Sequence, residues 1–132
     1  MHKAIRFTTQ IEYGNIRACV YKIWFGCSYY IGATKNFYAR VSDHRRALNI
    51  ALNDISADGT YAKIVPYLIS NDHIEEAIIE VVRVCLPEEI YKLEEEYHLA
   101  ALSDKRCLNV FHRYRFKLKV IEYGRKIAAE GN

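Results

Sequence analysis

The chain has 132 residues, 51% hydrophobic and 27% charged, a balance that suits one domain with one core and excludes an intrinsically disordered chain. A net charge of +3 is too mild to imply nucleic acid by itself, and no apolar run is long enough to span a bilayer. Cys19, Cys27, Cys85 and Cys107 form no CxxC pair and the N-terminus carries no signal-peptide pattern, so the expectation is a reduced, cytoplasmic protein with no membrane partner.

Ile16 to Phe25, rich in Val, Ile, Tyr and Trp, predicts a strand. Gly26-Cys27-Ser28 reads as a turn, and Ser28 to Gly32 as the second strand of a hairpin. Thr34 or Asn36 caps a helix over roughly Asn36 to Leu52. On it Phe37, Val41 and Leu48 recur at helical spacing and face the core, while Arg40 and His44 form a neighbouring stripe toward a cleft. Asn53 to Gly59 is a loop, and Thr60 to Ser70 a short helix broken around Pro66. Glu75 to Cys85 reads as a third strand, although Glu75-Glu76-Ala77 also suits a helix start. Pro87 fits the first turn of a helix running to Leu102, with Ile90, Leu93, Tyr97 and Ala101 as its apolar stripe. Leu108 to Phe111 is a short extended piece, and the tail alternates basic and apolar residues before turning Ala-rich. The expected fold is α/β: a small central antiparallel sheet of about three strands flanked by helices. It forms a single domain over 1–132, with its core at 18–110 and a basic extension at 111–132.

Eleven tyrosines are many for this length, and they suit a polar cleft or a nucleic-acid surface as well as the edges of a core. Two of them, Tyr21 and Tyr30, lie in the strand stretches Cys19-Val20-Tyr21 and Tyr30-Ile31-Gly32, which end in a tyrosine and a glycine, and Arg40 and His44 follow on one helix face. Hydroxyls, a guanidinium and an imidazole together are a kit for attacking a phosphodiester, since Arg grips phosphate bidentately and a hydroxyl or imidazole manages the proton. With Glu94 in the later helix and Asn109 near the domain end, this ordered set resembles the GIY-YIG nuclease family over residues 18 to 110, departing from it at Cys19, where that family has Gly.

The resemblance implies a metal-dependent DNA endonuclease using Mg²⁺ or Mn²⁺. Tyr21 would manage the attacking water, and Tyr30 would orient water or phosphate. Arg40 would bind the scissile phosphate, His44 would relay a proton or contact phosphate, and Asn109 would close the site. A free tyrosine titrates near 10, so a base role for Tyr21 calls for help from Lys22, Arg40 or the metal. For the metal ligand, one helix register points to Glu94, and another, keyed on Leu99, points to Glu95. Candidate contacts to DNA are Lys22, Lys35, Arg45 and Arg46, with Gly32 allowing close approach. In the tail, Arg113, Arg115, Lys117 and Lys119 would share one face of an extended segment. No DNA-targeting domain follows the core, so a partner subunit or a homodimer is a natural source of specificity. Two alternatives remain: a catalytically silent nucleic-acid- or protein-binding domain, and a nuclease subunit that needs its partner.

Overall fold

The computed structural model describes residues 3–9, 16–54 and 59–111, so the basic tail from His112 onward lies outside the described residues. Strands β2 (Cys19–Phe25) and β3 (Ser28–Thr34) form the expected hairpin, paired from Cys19↔Thr34 to Phe25↔Ser28. Gly26-Cys27 is its two-residue connection, and Gly26 takes the positive φ of 65° that primed hairpin turns need at this place. The third expected strand, β4 (Glu76–Val84), pairs antiparallel with β2. Its register shifts between Val20↔Arg83 and Tyr21↔Val81, leaving Val82 as an extra residue opposite Tyr21.

The sheet departs from expectation at its far edge. Strand β1 (Arg6–Thr9) runs parallel to β4, giving a four-stranded mixed sheet in the order β1-β4-β2-β3 rather than an antiparallel sheet of three. Four residues are too few for alternation to announce a strand. Its partner, Glu76 to Ile79, lies seventy residues away. The position of β1 is fixed from outside: Asn49 accepts the Ile5 N–H at 2.8 Å and donates to the Ile5 carbonyl at 3.2 Å.

Helix α1 (Phe37–Asp54) starts where Asn36 caps it, its Oδ1 accepting the Ala39 N–H at 3.2 Å, while the Thr34 hydroxyl accepts the Asn36 N–H. Helix α2 (Ile64–Ser70) is not broken at Pro66. The proline sits in the first turn, where its missing N–H would have had no intrahelical partner. Helix α3 (Ile90–Ala101) follows a 3₁₀ turn at Pro87–Glu89. None of the described helices is long and apolar enough to cross a membrane.

Both faces of β2 are covered. Tyr21, Ile23 and Phe25 join Phe37, Leu48, Leu52, Leu68 and Ile79 in a core under α1 and α2. On the opposite side Val20, Tyr29 and Ile31 pack with Leu93 and Ala101 of α3. A strand buried on both faces loses the polar half of its alternation, which is why the sequence of β2 alternates only weakly.

Candidate active site

The hairpin and α1 bring Tyr21, Tyr30, Arg40 and His44 together. The Tyr21 hydroxyl lies 2.6 Å from His44 Nε2, and His44 Nδ1 lies 2.9 Å from the Tyr61 hydroxyl. The Tyr30 ring stands 5.2 Å from the imidazole and 6.5 Å from Tyr21. The half-buried Arg40 guanidinium acts electrostatically on the hydroxyls of both Tyr21 and Tyr30. Helical spacing forecast the pairing of Arg40 with His44, but not its depth. His44 is 1% exposed, so the imidazole lies in the core beneath the tyrosines rather than on the wall of a cleft.

Burial sets the protonation states. Desolvation, with the positive Arg40 beside it, lowers the His44 pKa to about 3, so the ring is neutral at physiological pH. Desolvation and the neighbouring Tyr30 hold the Tyr21 hydroxyl well above its ordinary range, and Arg40 only partly opposes them. Tyr30 is raised as well, first by desolvation, with Arg40 opposing and the Glu94 carboxylate adding to the rise. Tyr61 is pushed up to about 12, chiefly by burial. His44 and the three tyrosines are therefore neutral at rest, and the site holds no standing tyrosinate.

Gly32 has a different task from the one its sequence position suggested. It lies inside β3 opposite Tyr21, where a Cβ would come within 2.6 Å of the Tyr21 hydroxyl and 2.7 Å of its ring. It is buried, and the strand continues past it to Thr34, so it makes room for Tyr21 rather than turning the chain or meeting a substrate.

Asn109, expected among the catalytic residues, is 4% exposed and works as a clasp. Its Oδ1 accepts the Ile31 N–H at 2.8 Å and its Nδ2 donates to the Ile31 carbonyl at 2.7 Å. The neighbouring chain begins the same closure, with the Tyr29 N–H donating to the Arg106 carbonyl and the Leu108 N–H to the Tyr29 carbonyl. The outer edge of β3 is thereby occupied and the strand carrying Tyr30 is fixed.

Three other candidates, Lys22, Arg45 and Arg46, take no part in the tyrosine–imidazole hydrogen bonds. Lys22 alternates with Tyr21 along β2 and points to the opposite face, where its ammonium lies 4.4 Å from the Tyr29 ring centroid and 5.3 Å from that of Trp24. It cannot lower the Tyr21 pKa from there. Arg46 is exposed and pairs with Asp43 at 3.0 Å, and Arg45 is exposed beside it on α1. Lys35 is stacked 5.4 Å from the Tyr91 ring centroid, and it lines an open cleft with Arg17, Asn36 and Tyr38 at the start of α1. Arg113, Arg115, Lys117 and Lys119 lie outside the described residues.

Two residues escaped the sequence reading. Arg17 lines this cleft from the segment leading into β2, and Tyr61 completes the hydrogen-bonded chain through His44. Neither sits at a spacing that flags it. Tyr61 follows a loop whose return toward α1 is a tertiary event.

Among the described residues no group of three or more His, Cys, Asp or Glu converges on one point, so no protein cage for a metal is formed there. The Glu94 carboxylate lies within electrostatic range of Tyr30. A single carboxylate suits a hydrated Mg²⁺, an ion that keeps several waters and takes few protein ligands. No family model, no curated protein and no solved structure matches the chain.

Proposed function

We propose that the chain is a metal-dependent DNA endonuclease of the GIY-YIG kind, hydrolysing phosphodiester bonds. The observation that carries this reading is Arg40 acting electrostatically on two tyrosine hydroxyls, one bonded to a neutral buried imidazole and the other within the field of Glu94. Arg40 takes the scissile phosphate, since a guanidinium matches two phosphate oxygens and stays charged at any working pH. Its charge stabilises the extra negative charge of the transition state. Tyr21 accepts a proton from the attacking water as its own proton passes to His44 Nε2. With its pKa raised, Tyr21 is a conduit for the proton and not a stored base. Tyr30 orients the phosphate or water by its hydroxyl. Glu94 would hold Mg²⁺ or Mn²⁺, which when bound lowers the pKa of water and neutralises charge on the leaving oxygen. Lys35 and Arg17 lead the DNA backbone toward Arg40.

The test is incubation of the purified chain with supercoiled, branched and single-stranded DNA in Mg²⁺, Mn²⁺ or EDTA. The reading expects metal-dependent cleavage of at least one substrate, lost in Arg40→Ala. Binding without cleavage under all these conditions would refute a stand-alone enzyme and leave a silent nucleic-acid-binding domain or a subunit that needs its partner.

A further inference from the structure

We propose that Tyr61 is the outlet of a one-way proton relay, accepting the Nδ1 proton of His44 so that Nε2 is free to take the proton of Tyr21. This rests on the nuclease reading for its catalytic consequence, but the direction of the chain follows from donor and acceptor accounting alone. Tyr21 is 1% exposed, so its O–H needs an acceptor inside the protein. Arg40 has only donors to offer. His44 Nε2, at 2.6 Å, is the acceptor present, and among the described residues no buried side-chain polar atom is left without a partner. If Tyr21 donates to Nε2, a neutral ring must carry its proton on Nδ1. Nδ1–H then donates to the Tyr61 oxygen at 2.9 Å. The reverse tautomer would aim Nε2–H at the Tyr21 oxygen and leave the buried Tyr21 O–H without its acceptor.

The relay balances. The water O–H bond breaks as a Tyr21 O–H bond forms, and the original Tyr21 proton moves to Nε2. The Nδ1 proton moves to the Tyr61 oxygen, and the original Tyr61 proton leaves toward solvent from that half-buried residue. Hydroxide is delivered to phosphorus, and no protein group ends with a changed charge. The outlet is required because His44 cannot keep a second proton: it is buried and Arg40 stands beside it. Tyr61 acts through His44 and is a positioning residue.

The test joins a spectrum to kinetics. Imidazole ¹⁵N resonances of the wild-type chain should show His44 neutral with its proton on Nδ1, and Tyr61→Phe should shift it toward the Nε2–H form. In cleavage assays Tyr61→Phe should lower kcat by roughly tenfold to a hundredfold with KM unchanged, a share of what proton transfer commonly contributes. An Nε2–H tautomer in the wild type, or a Tyr61→Phe variant with wild-type kcat, overturns the relay. If Tyr61→Phe fails to fold, the wild-type spectrum still decides the direction of the chain. If the wild type cleaves no DNA, the nuclease reading fails and the spectrum alone judges the hydrogen-bonded chain.

Discussion

Acid should unfold this protein earlier than its carboxylates would predict, because a deeply buried imidazole must stay neutral. His44 has a pKa near 6.5 when exposed and about 3 in the native chain, chiefly through desolvation. A group whose native pKa is depressed in this sense binds protons first in the unfolded state, so stability falls as pH falls below the unfolded value. Going from about pH 7.5 to about pH 5, the unfolded chain is favoured by protonation that the native chain refuses, a loss of about 2 kcal/mol. The full loss, reached near the native pKa, is about 5 kcal/mol and is of the order of a domain's whole stability. Carboxylates contribute lower down: Asp104, held well below its usual range mainly by its hydrogen bond from Arg106, loses its share only once the pH reaches the acidic side of about 4. The assay is urea unfolding at the two pH values, in which a 2 kcal/mol loss moves the midpoint down by about 1–2 M. His44→Gln keeps a polar side chain without a titrating ring and should flatten that pH dependence while lowering stability at both values. Equal wild-type midpoints, or an unchanged pH slope in His44→Gln, would refute the assignment of a neutral buried imidazole.

Three further outcomes follow from the packing. Gly32→Ala sets a methyl against the Tyr21 hydroxyl and should cost about 1–3 kcal/mol of stability, read by thermal unfolding, with loss of cleavage beyond that explained by unfolding. Arg40→Ala should lower kcat by about a hundredfold to a thousandfold while the circular dichroism spectrum stays native, since the residue supports charge in the transition state; near-normal turnover would remove it from the mechanism. Of the carboxylates, Glu94→Gln should abolish the response of cleavage to Mg²⁺ and Glu95→Gln should spare it, because Glu94 is the one whose field reaches Tyr30; the opposite result would move the metal to Glu95.

What the sequence disclosed and what it hid divide along the range of the rule applied. Local rules placed the hairpin, the 3.6-residue stripe of α1 and the apolar stripe of α3, and these sufficed to bring Tyr21, Tyr30, Arg40 and His44 together. The role of Gly32 was also within reach: a two-residue turn at Gly26-Cys27 forces Tyr21 opposite Gly32, a pairing the strand register realises. Strand alternation likewise assigns Lys22 to the face away from Tyr21. What could not be read depended on distant chain. β1 becomes a strand only beside β4. Asn109 becomes a clasp only because its segment reaches the open edge of β3 at Ile31. Tyr61 meets His44 across a separation of 17 residues that no local periodicity spans.

Depth in the core and base chemistry pull against each other at this site, and the arrangement resolves the conflict through hydrogen-bond direction. A tyrosine that must act as a base would ordinarily be exposed or held beside a cation strong enough to ionise it. Here desolvation outweighs Arg40, so the hydroxyl stays protonated at rest. The same desolvation denies His44 a positive charge. Neither group alone could take a proton from water and keep it. Linked through Nε2 and Nδ1, they need not keep it, because each gains a proton only as it gives one away. In the proposed mechanism Arg40 need not ionise Tyr21 and would keep its charge for the phosphate. The cost is rigidity: the chain of donors works only if Gly32 leaves space for Tyr21 and Asn109 holds β3 in place. Substitutions at these two buried positions, neither of which is available to touch DNA, should therefore lower turnover more than they weaken DNA binding.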